Sequence, residues 1–138
     1  MRRKILAAIV ILAVACVLAG CTGSENDTVV ISERFFVNEM KEVVFNPNQY
    51  LGRTLQFEGM FRIVPVGDIN RFIVMRYTIG CCGEEPIGLE VIMGNFTPFE
   101  HNAWVEVAGT LDLNDGFLVL HVTSITELDE RGAELVSG

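Results

Sequence analysis

The chain has 138 residues, half of them hydrophobic, with 18 acidic residues against ten lysines and arginines and a formal net charge of −8. Three of the ten cationic residues lie at positions 2–4, so the rest of the chain carries seven against 18 and is more acidic still. Such a surface repels polyanions, which argues against nucleic acid or anionic lipid headgroups as the main partner.

The first twenty residues are typical of an export signal. A cationic start at 2–4 precedes an uncharged apolar run at 5–18. The ending Leu-Ala-Gly-Cys at 18–21 is similar to a bacterial lipobox and predicts that Cys21 becomes the diacylated N-terminus at the outer face of the cell membrane. An ordinary secretory signal or an uncleaved anchor is the alternative, although the apolar run is short for a membrane span. We therefore assign residues 1–20 to a lipoprotein signal peptide.

The remaining 118 residues are enough for one domain with its own core. A polar run rich in Gly, Ser, Asn and Asp predicts a tether at 21–31. The domain is predicted at 32–128, with a loose C-terminal tail at 129–138.

The domain is predicted to begin with a helix. Ser32 is placed to cap its first turn. Apolar residues at helical spacing follow, namely Phe36, Met40, Val43 and Val44. The helix should end before Pro47, because the residue before a proline disfavours the helical conformation. One further turn at 47–51 should end at Gly52, which tolerates the left-handed conformation.

Five segments with a period of two then predict strands, at residues 53–64, 71–79, 87–93, 104–111 and 116–128. Gly59 interrupts the apolar face of the first and predicts a bulge or bend. The expected fold class is mainly β, a five-stranded OB-fold-like Greek-key barrel with an N-terminal helix. Another small barrel or a sandwich is the alternative, although five strands are few for a sandwich.

Two adjacent cysteines, Cys81 and Cys82, are the most unusual feature of the chain. Thiols in an exported protein are usually committed to a disulfide, a metal or a lipid. Adjacent side chains of a strand point to opposite faces, but the flanking Gly80 and Gly83 permit a turn that brings both sulfurs to one side.

Three fates of this pair remain open from the sequence. The cysteines could bind zinc or copper(I), with further ligands from Glu84, Glu85, His101 or His121. They could form a vicinal disulfide that acts as a redox-sensitive turn. They could also be small buried apolar residues at a strand end.

Arg76 lies five residues before the cysteine pair, on an apolar strand, and should have a carboxylate partner. Glu90 on the following strand is the predicted partner, and an arginine near the thiols would also favour the thiolate form. Trp104, at the start of a strand, is predicted to pack in the core or at its rim. No catalytic triad, paired catalytic carboxylates or His-Glu-x-x-His motif is present, so we expect no enzymatic activity.

Four stretches resemble the extracytoplasmic domain of the YcgQ-type family: 45–59, 72–82, 86–91 and 104–110. The most specific element is Arg76 followed five residues later by Cys81 and Cys82, with a proline shortly after. This chain has Gly-Glu-Glu after the cysteines, where the family usually has Ala-Asp-Ala. A lipid would also replace the membrane helices that family members often carry.

The resemblance implies an OB-fold-like domain that works with an integral membrane permease, with an association to transport of a metal ion and no established reaction. The expected function is therefore a membrane-anchored, non-enzymatic accessory or binding subunit of a permease that handles an ion such as zinc. The alternative is an interaction or envelope-binding module whose cysteines are structural or redox-active.

Overall fold

A computed structural model describes residues 27–138 of the chain. The predicted signal peptide, the lipidated Cys21 and most of the predicted tether lie outside the described residues. Within the described part, no helix is long and apolar enough to cross a membrane.

The described chain is mainly β, with one α-helix. In order, the elements are β1 (Val29–Val30), α1 (Phe36–Phe45), β2 (Thr54–Val66), β3 (Ile69–Gly80), β4 (Gly83–Ile92), β5 (Trp104–Asn114), β6 (Phe117–Glu127) and β7 (Leu135–Val136). Short 3₁₀ turns at Glu33–Phe35 and Pro47–Gln49 flank the helix.

The helix forms where the apolar spacing predicts it, and its buried stripe consists of Phe36, Val37, Met40 and Val43. Val44 was expected in this stripe but is 44% exposed, whereas Val37 is buried. Ser32 does not cap through its side chain; its backbone N–H instead donates to the Glu39 carboxylate at 3.1 Å. Gly52 has a φ of 79°, as its predicted left-handed role requires.

The five long strands close into a barrel in the order β2-β5-β6-β4-β3, with β3 pairing back to β2. All these pairs are antiparallel except β4 with β6, which is parallel. This closed five-stranded Greek-key arrangement confirms the predicted OB-fold-like barrel. Most of the barrel's buried apolar side chains, together with those of the helix, form one core.

Strand β2 pairs with a different long strand in each half of its length. Its first half pairs with β5 as far as Met60, and its second half pairs with β3 from Met60 to Val66. The change of partner falls at Gly59, where a Cβ atom would lie 2.7 Å from the Met75 carbonyl oxygen. The predicted bend at Gly59 therefore reflects a close approach of two backbones.

The two shortest strands fill the seam that opens where β2 and β3 separate. β1 pairs in parallel with β2 at Leu55 and Gln56, and β7 pairs in parallel with β3 at Tyr77 and Thr78. The predicted boundaries need two corrections. The tether does not extend to residue 31, because β1 belongs to the sheet and Ile31 is buried, and the tail is not loose throughout, because Val136 is also buried.

The directions of the strands determine at which end of the barrel each turn lies. Because β2, β4 and β6 run in one direction and β3 and β5 in the opposite direction, the start of β2, the turn at 81–82 and the turn at 115–116 lie at one end. We refer to this as the tether end, since Asp27 is ion-paired there with Arg53 just before β2. The turn at 67–68 and the loop at 93–103 lie at the opposite end.

Candidate functional site: the cysteine turn and the groove beside it

The two adjacent cysteines form the apex of the β3–β4 hairpin. Pairing of the strands continues to Gly80 and Gly83, which leaves Cys81 and Cys82 as the only unpaired residues. Gly83 has a φ of 123°, a conformation that side-chain-bearing residues rarely adopt. Both thiols are free and exposed, and their Sγ atoms are 3.4 Å apart. The glycines thus allow a turn in which both sulfurs point to the same side.

Of the predicted additional ligands, Glu84 and Glu85 lie on the same hairpin as the cysteines, and Glu85 reaches back over Gly80. Its carboxylate covers Gly80 so closely that a Cβ atom there would overlap it. Glu84 pairs with Ile79 one step nearer the apex and is exposed. Both glutamates are therefore at the base of the cysteine turn, and their carboxylates are free of any ion pair within 4.0 Å among the described residues.

The structure does not bring the histidines to the turn. His121 pairs with Ile92, nine residues along β4 from Gly83, which corresponds to about 30 Å of strand. Its Nε2 atom lies 3.4 Å from the Asp112 carboxylate. His101 accepts a hydrogen bond from the backbone N–H of Ile63 at 3.2 Å. The sequence does not show that these histidines lie far from the cysteines, because that distance depends on the order of the strands in the barrel.

The geometry bears differently on the three possible fates. The interpretation as buried apolar residues is wrong, since both side chains are exposed. Two thiolates that share a tetrahedral zinc ion lie roughly 3.8 Å apart, given zinc–sulfur bonds of about 2.3 Å. The observed 3.4 Å separation is near that value. Across residues 27–138, however, no group of three or more His, Cys, Asp or Glu side chains is arranged to hold a metal ion, so the pair supplies half of a four-coordinate site.

Arg76 is buried beneath the helix, with 1% of its side chain exposed. The predicted partner is wrong: Glu90 pairs instead with Arg71 at 3.3 Å, on the outer face of the barrel. Arg76 points inward, and its Nη1 atom donates to the Glu33 carboxylate at 2.8 Å. Glu33 lies three residues before the helix and 43 positions from Arg76 in sequence. A search for a partner on the neighbouring strand therefore does not find it.

The other contacts of Arg76 join separate parts of the chain. Its Nε donates to the Glu58 carbonyl oxygen, and Nη1 also donates to the Ala133 carbonyl oxygen, both at 2.9 Å. Its guanidinium carbon lies 5.0 Å and 4.8 Å from the ring centroids of Phe36 and Trp104. The group therefore links the helix, β2, β5 and the C-terminal segment, which is a structural role and not one at the cysteine turn.

The pKa of the Glu33 carboxyl is held below its usual range. The main cause is the hydrogen bond from Arg76, and a second is the backbone N–H of Ala133, which donates to the same carboxylate oxygen at 3.0 Å. The ionised form of Glu33 therefore helps to hold the C-terminal segment on the barrel.

A groove of about 590 Å³ runs over the outer faces of β2, β3 and β4. Its lining is apolar with a charged rim and consists of Arg62, Val64, Ile73, Met75, Tyr77, Pro86, Gly88 and Glu90. The sequence carries a signal for it, because β3 is apolar on both faces and its outward residues include Ile73, Met75 and Tyr77. This face corresponds to the surface on which OB-folds bind extended ligands.

The sequence model of one family, described as the DUF1980 C-terminal domain, matches residues 19–134. The chain belongs to this family. The match covers the whole barrel, the helix and the cysteine turn of this DUF1980 C-terminal domain protein. Among curated proteins, none matches the chain.

Proposed function

We propose that this DUF1980 C-terminal domain protein is a YcgQ-type extracytoplasmic lipoprotein, a non-enzymatic accessory subunit of a membrane permease whose cysteine turn binds a metal ion, with zinc as the first candidate. The observation that carries the proposal is the pair of exposed Sγ atoms, 3.4 Å apart, on Cys81 and Cys82. A folded strand would have separated these sulfurs, whereas the glycine-flanked turn brings them together.

The proposed location is supported by the export signal and by the lipobox ending at Cys21. Outside the cytoplasm, an exposed dithiol is soon oxidised unless it is bound to something. Metal binding is one way in which such a pair persists, because zinc binds the deprotonated sulfurs.

The position of the turn also allows a metal ion to be shared between this protein and a partner. The pair is exposed at the apex of a hairpin, so the remaining ligands can come from outside the barrel. Glu84 and Glu85 stand at its base and provide carboxylate oxygens, which zinc accepts beside sulfur. A permease partner that contributes the other ligands would complete the site when the two proteins meet.

Metal titration of the mature lipidated protein in detergent tests this proposal. Under reducing conditions, with a competing chelator, we expect one tightly bound zinc ion per chain or per complex with the permease. The Cys81→Ser/Cys82→Ser double variant should lose it. His121→Ala is the matched control, because this histidine lies on β6 beside Ile92, at the end of β4 away from the turn, and the variant should bind as the parent does. Equal binding by the double variant, or no stoichiometric binding by the parent, contradicts the proposal.

A second candidate function is an interaction module that uses the groove on β2, β3 and β4. The supporting observation is its volume of about 590 Å³ with Tyr77 and Met75 in an apolar wall. A photo-crosslinking amino acid introduced at Tyr77 should label a membrane or envelope protein in intact cells. The same label at Val30, which is 59% exposed on β1 and does not line this groove, serves as the control. Equal labelling from both positions argues against a groove partner.

A further inference from the structure

We propose that the tether end of the barrel is a membrane-contacting surface, in which Phe45, Leu113 and Phe117 rest against the outer leaflet of the bilayer. This inference rests on the proposed lipid anchor at Cys21, but not on metal binding or on a permease.

The surface is an apolar patch assembled from two elements of the fold. Phe45, at the end of α1, is 76% exposed, and Phe117, just after the 115–116 turn, is 63% exposed. Leu113 on β5 is also exposed. The side of the helix bearing Val44 and the β5–β6 hairpin line one cavity of about 360 Å³, so the two elements are contiguous. Hydrophobic side chains grouped in this way mark a contact surface more often than scattered ones do.

The anchor lies on the same side of the domain as the patch. Asp27 is held by Arg53 at 2.6 Å, and the backbone N–H of Leu111 donates to the Arg53 carbonyl oxygen at 3.0 Å. Leu113 follows two residues later on the same strand. The point at which the described chain begins is therefore close to the base of the β5–β6 hairpin.

The length of chain between anchor and barrel limits the possible orientations. Cys21 lies six positions before Asp27 in sequence, and even a fully extended segment of this length spans at most about 20 Å. The turn at 67–68, at the opposite end, is separated from Arg53 by the whole 13-residue length of β2. A bilayer within reach of the anchor thus meets the tether end first.

The chemistry of the patch fits a lipid surface of low charge. Aromatic side chains are favoured at the membrane–water interface, and amphipathic surfaces there bury their apolar side about 5–10 Å deep. Asp112 and Asp115 flank the patch in sequence and would remain among the headgroups, and the acidic chain as a whole avoids anionic lipid. The contact therefore involves the acyl region of a zwitterionic leaflet.

This orientation places the cysteine turn on the membrane side. The turn at 81–82 lies at the same end of the barrel as the patch, because β4 and β6 are parallel and both begin there. The dithiol would face the bilayer plane in which a permease resides.

Fluorescence quenching by brominated phosphatidylcholine tests the contact directly. The protein has a single tryptophan, Trp104, which is buried and gives the same background in every variant. Full-length Phe117→Trp and Ile69→Trp variants are expressed with lipoprotein processing, purified and reconstituted into vesicles that contain no other protein. The two positions are matched, since both side chains are 63% exposed and both flank hairpin turns, but they lie at opposite ends.

We expect brominated lipid to reduce the added fluorescence of Phe117→Trp by about half or more, as interfacial depth implies, and to leave that of Ile69→Trp nearly unchanged. Mass measurement of the same samples reports whether Cys21 carries lipid. Without lipidation, the anchor proposed above fails. If the protein is lipidated and vesicle-bound but both variants are quenched equally or not at all, the membrane-contacting surface is refuted; the absence of quenching would then favour a protein partner on this patch.

Discussion

Replacement of Arg76 by alanine should destabilise the barrel more than any other single change of a charged residue among those described. Arg76 is the most buried charged side chain in the described region, and its guanidinium group donates to the Glu33 carboxylate and to the carbonyl oxygens of Glu58 and Ala133. Removal leaves these acceptors without their donor and opens a cavity between Phe36 and Trp104.

The magnitude follows from the burial of the arginine and the exposure of its partner. Loss of one member of a buried ion pair costs about 3–5 kcal/mol, largely because the other charge is left uncompensated. Glu33 is half-exposed and can be rehydrated, so the lower part of that range applies. Arg76→Lys retains the charge but loses the planar group that bonds in several directions, and it should cost about 2 kcal/mol.

Urea unfolding of the soluble mature domain, with Cys21 replaced by serine, measures both variants. Arg71→Ala is the matched control on the same strand, because its ion pair with Glu90 lies on the surface and should contribute about 1 kcal/mol or less. The midpoints should shift while the m-value stays constant. A cost for Arg76→Ala no larger than that of Arg71→Ala would refute the interpretation of Arg76 as the group that joins these segments.

Three further predictions concern stability. The hydrogen bond from Arg76 holds the pKa of Glu33 below its usual value of about 4.5, so the stability that Glu33 contributes is fully present above the unfolded pKa and is lost as pH falls through the folded pKa. In Glu33→Gln, the unfolding midpoint should therefore depend less on pH than in the parent below about pH 5, the upper end of the range over which a paired carboxylate titrates. Gly59→Ala should lower the free energy of unfolding by about 1–3 kcal/mol, since the new Cβ would press on the Met75 carbonyl oxygen, and an unchanged midpoint would contradict this close approach. Truncation after residue 132 removes β7 and the buried Val136 and should lower the free energy of unfolding by about 2 kcal/mol or more, as measured by thermal unfolding. A loss near zero would support the original prediction of a loose tail.

Local patterns in the sequence were sufficient for the long elements. Alternation of apolar residues located all five barrel strands, and the sequence around Pro47 and Gly52 located the end of the helix. The two-residue strands β1 and β7 could not be predicted in this way, because so short a segment has no period. They exist only because β2 and β3 separate and leave edges for them to pair with.

The site was predictable only where its parts are adjacent in sequence. Two glycines around Cys81 and Cys82 were enough to predict a turn that brings the sulfurs together. The partner of Arg76 was wrong and His121 lies elsewhere, because both depend on strand order and on segments more than 30 residues away. The groove was missed for a related reason: three strands must be brought side by side before their outward residues form a wall.

The seam between β2 and β3 has a consequence for the biosynthesis of the protein. Its β3 edge is completed only when the backbone N–H of Tyr77 donates to the carbonyl oxygen of Glu134, which lies much later in the sequence, beyond all five barrel strands. A chain that emerges N-terminus first therefore carries an unpaired edge on β3 until β7 has also emerged. During that interval the edge can pair with a neighbouring chain, as exposed strands do. Chains truncated before β7 should accordingly accumulate as aggregates in the cell envelope before they show any defect in ion binding.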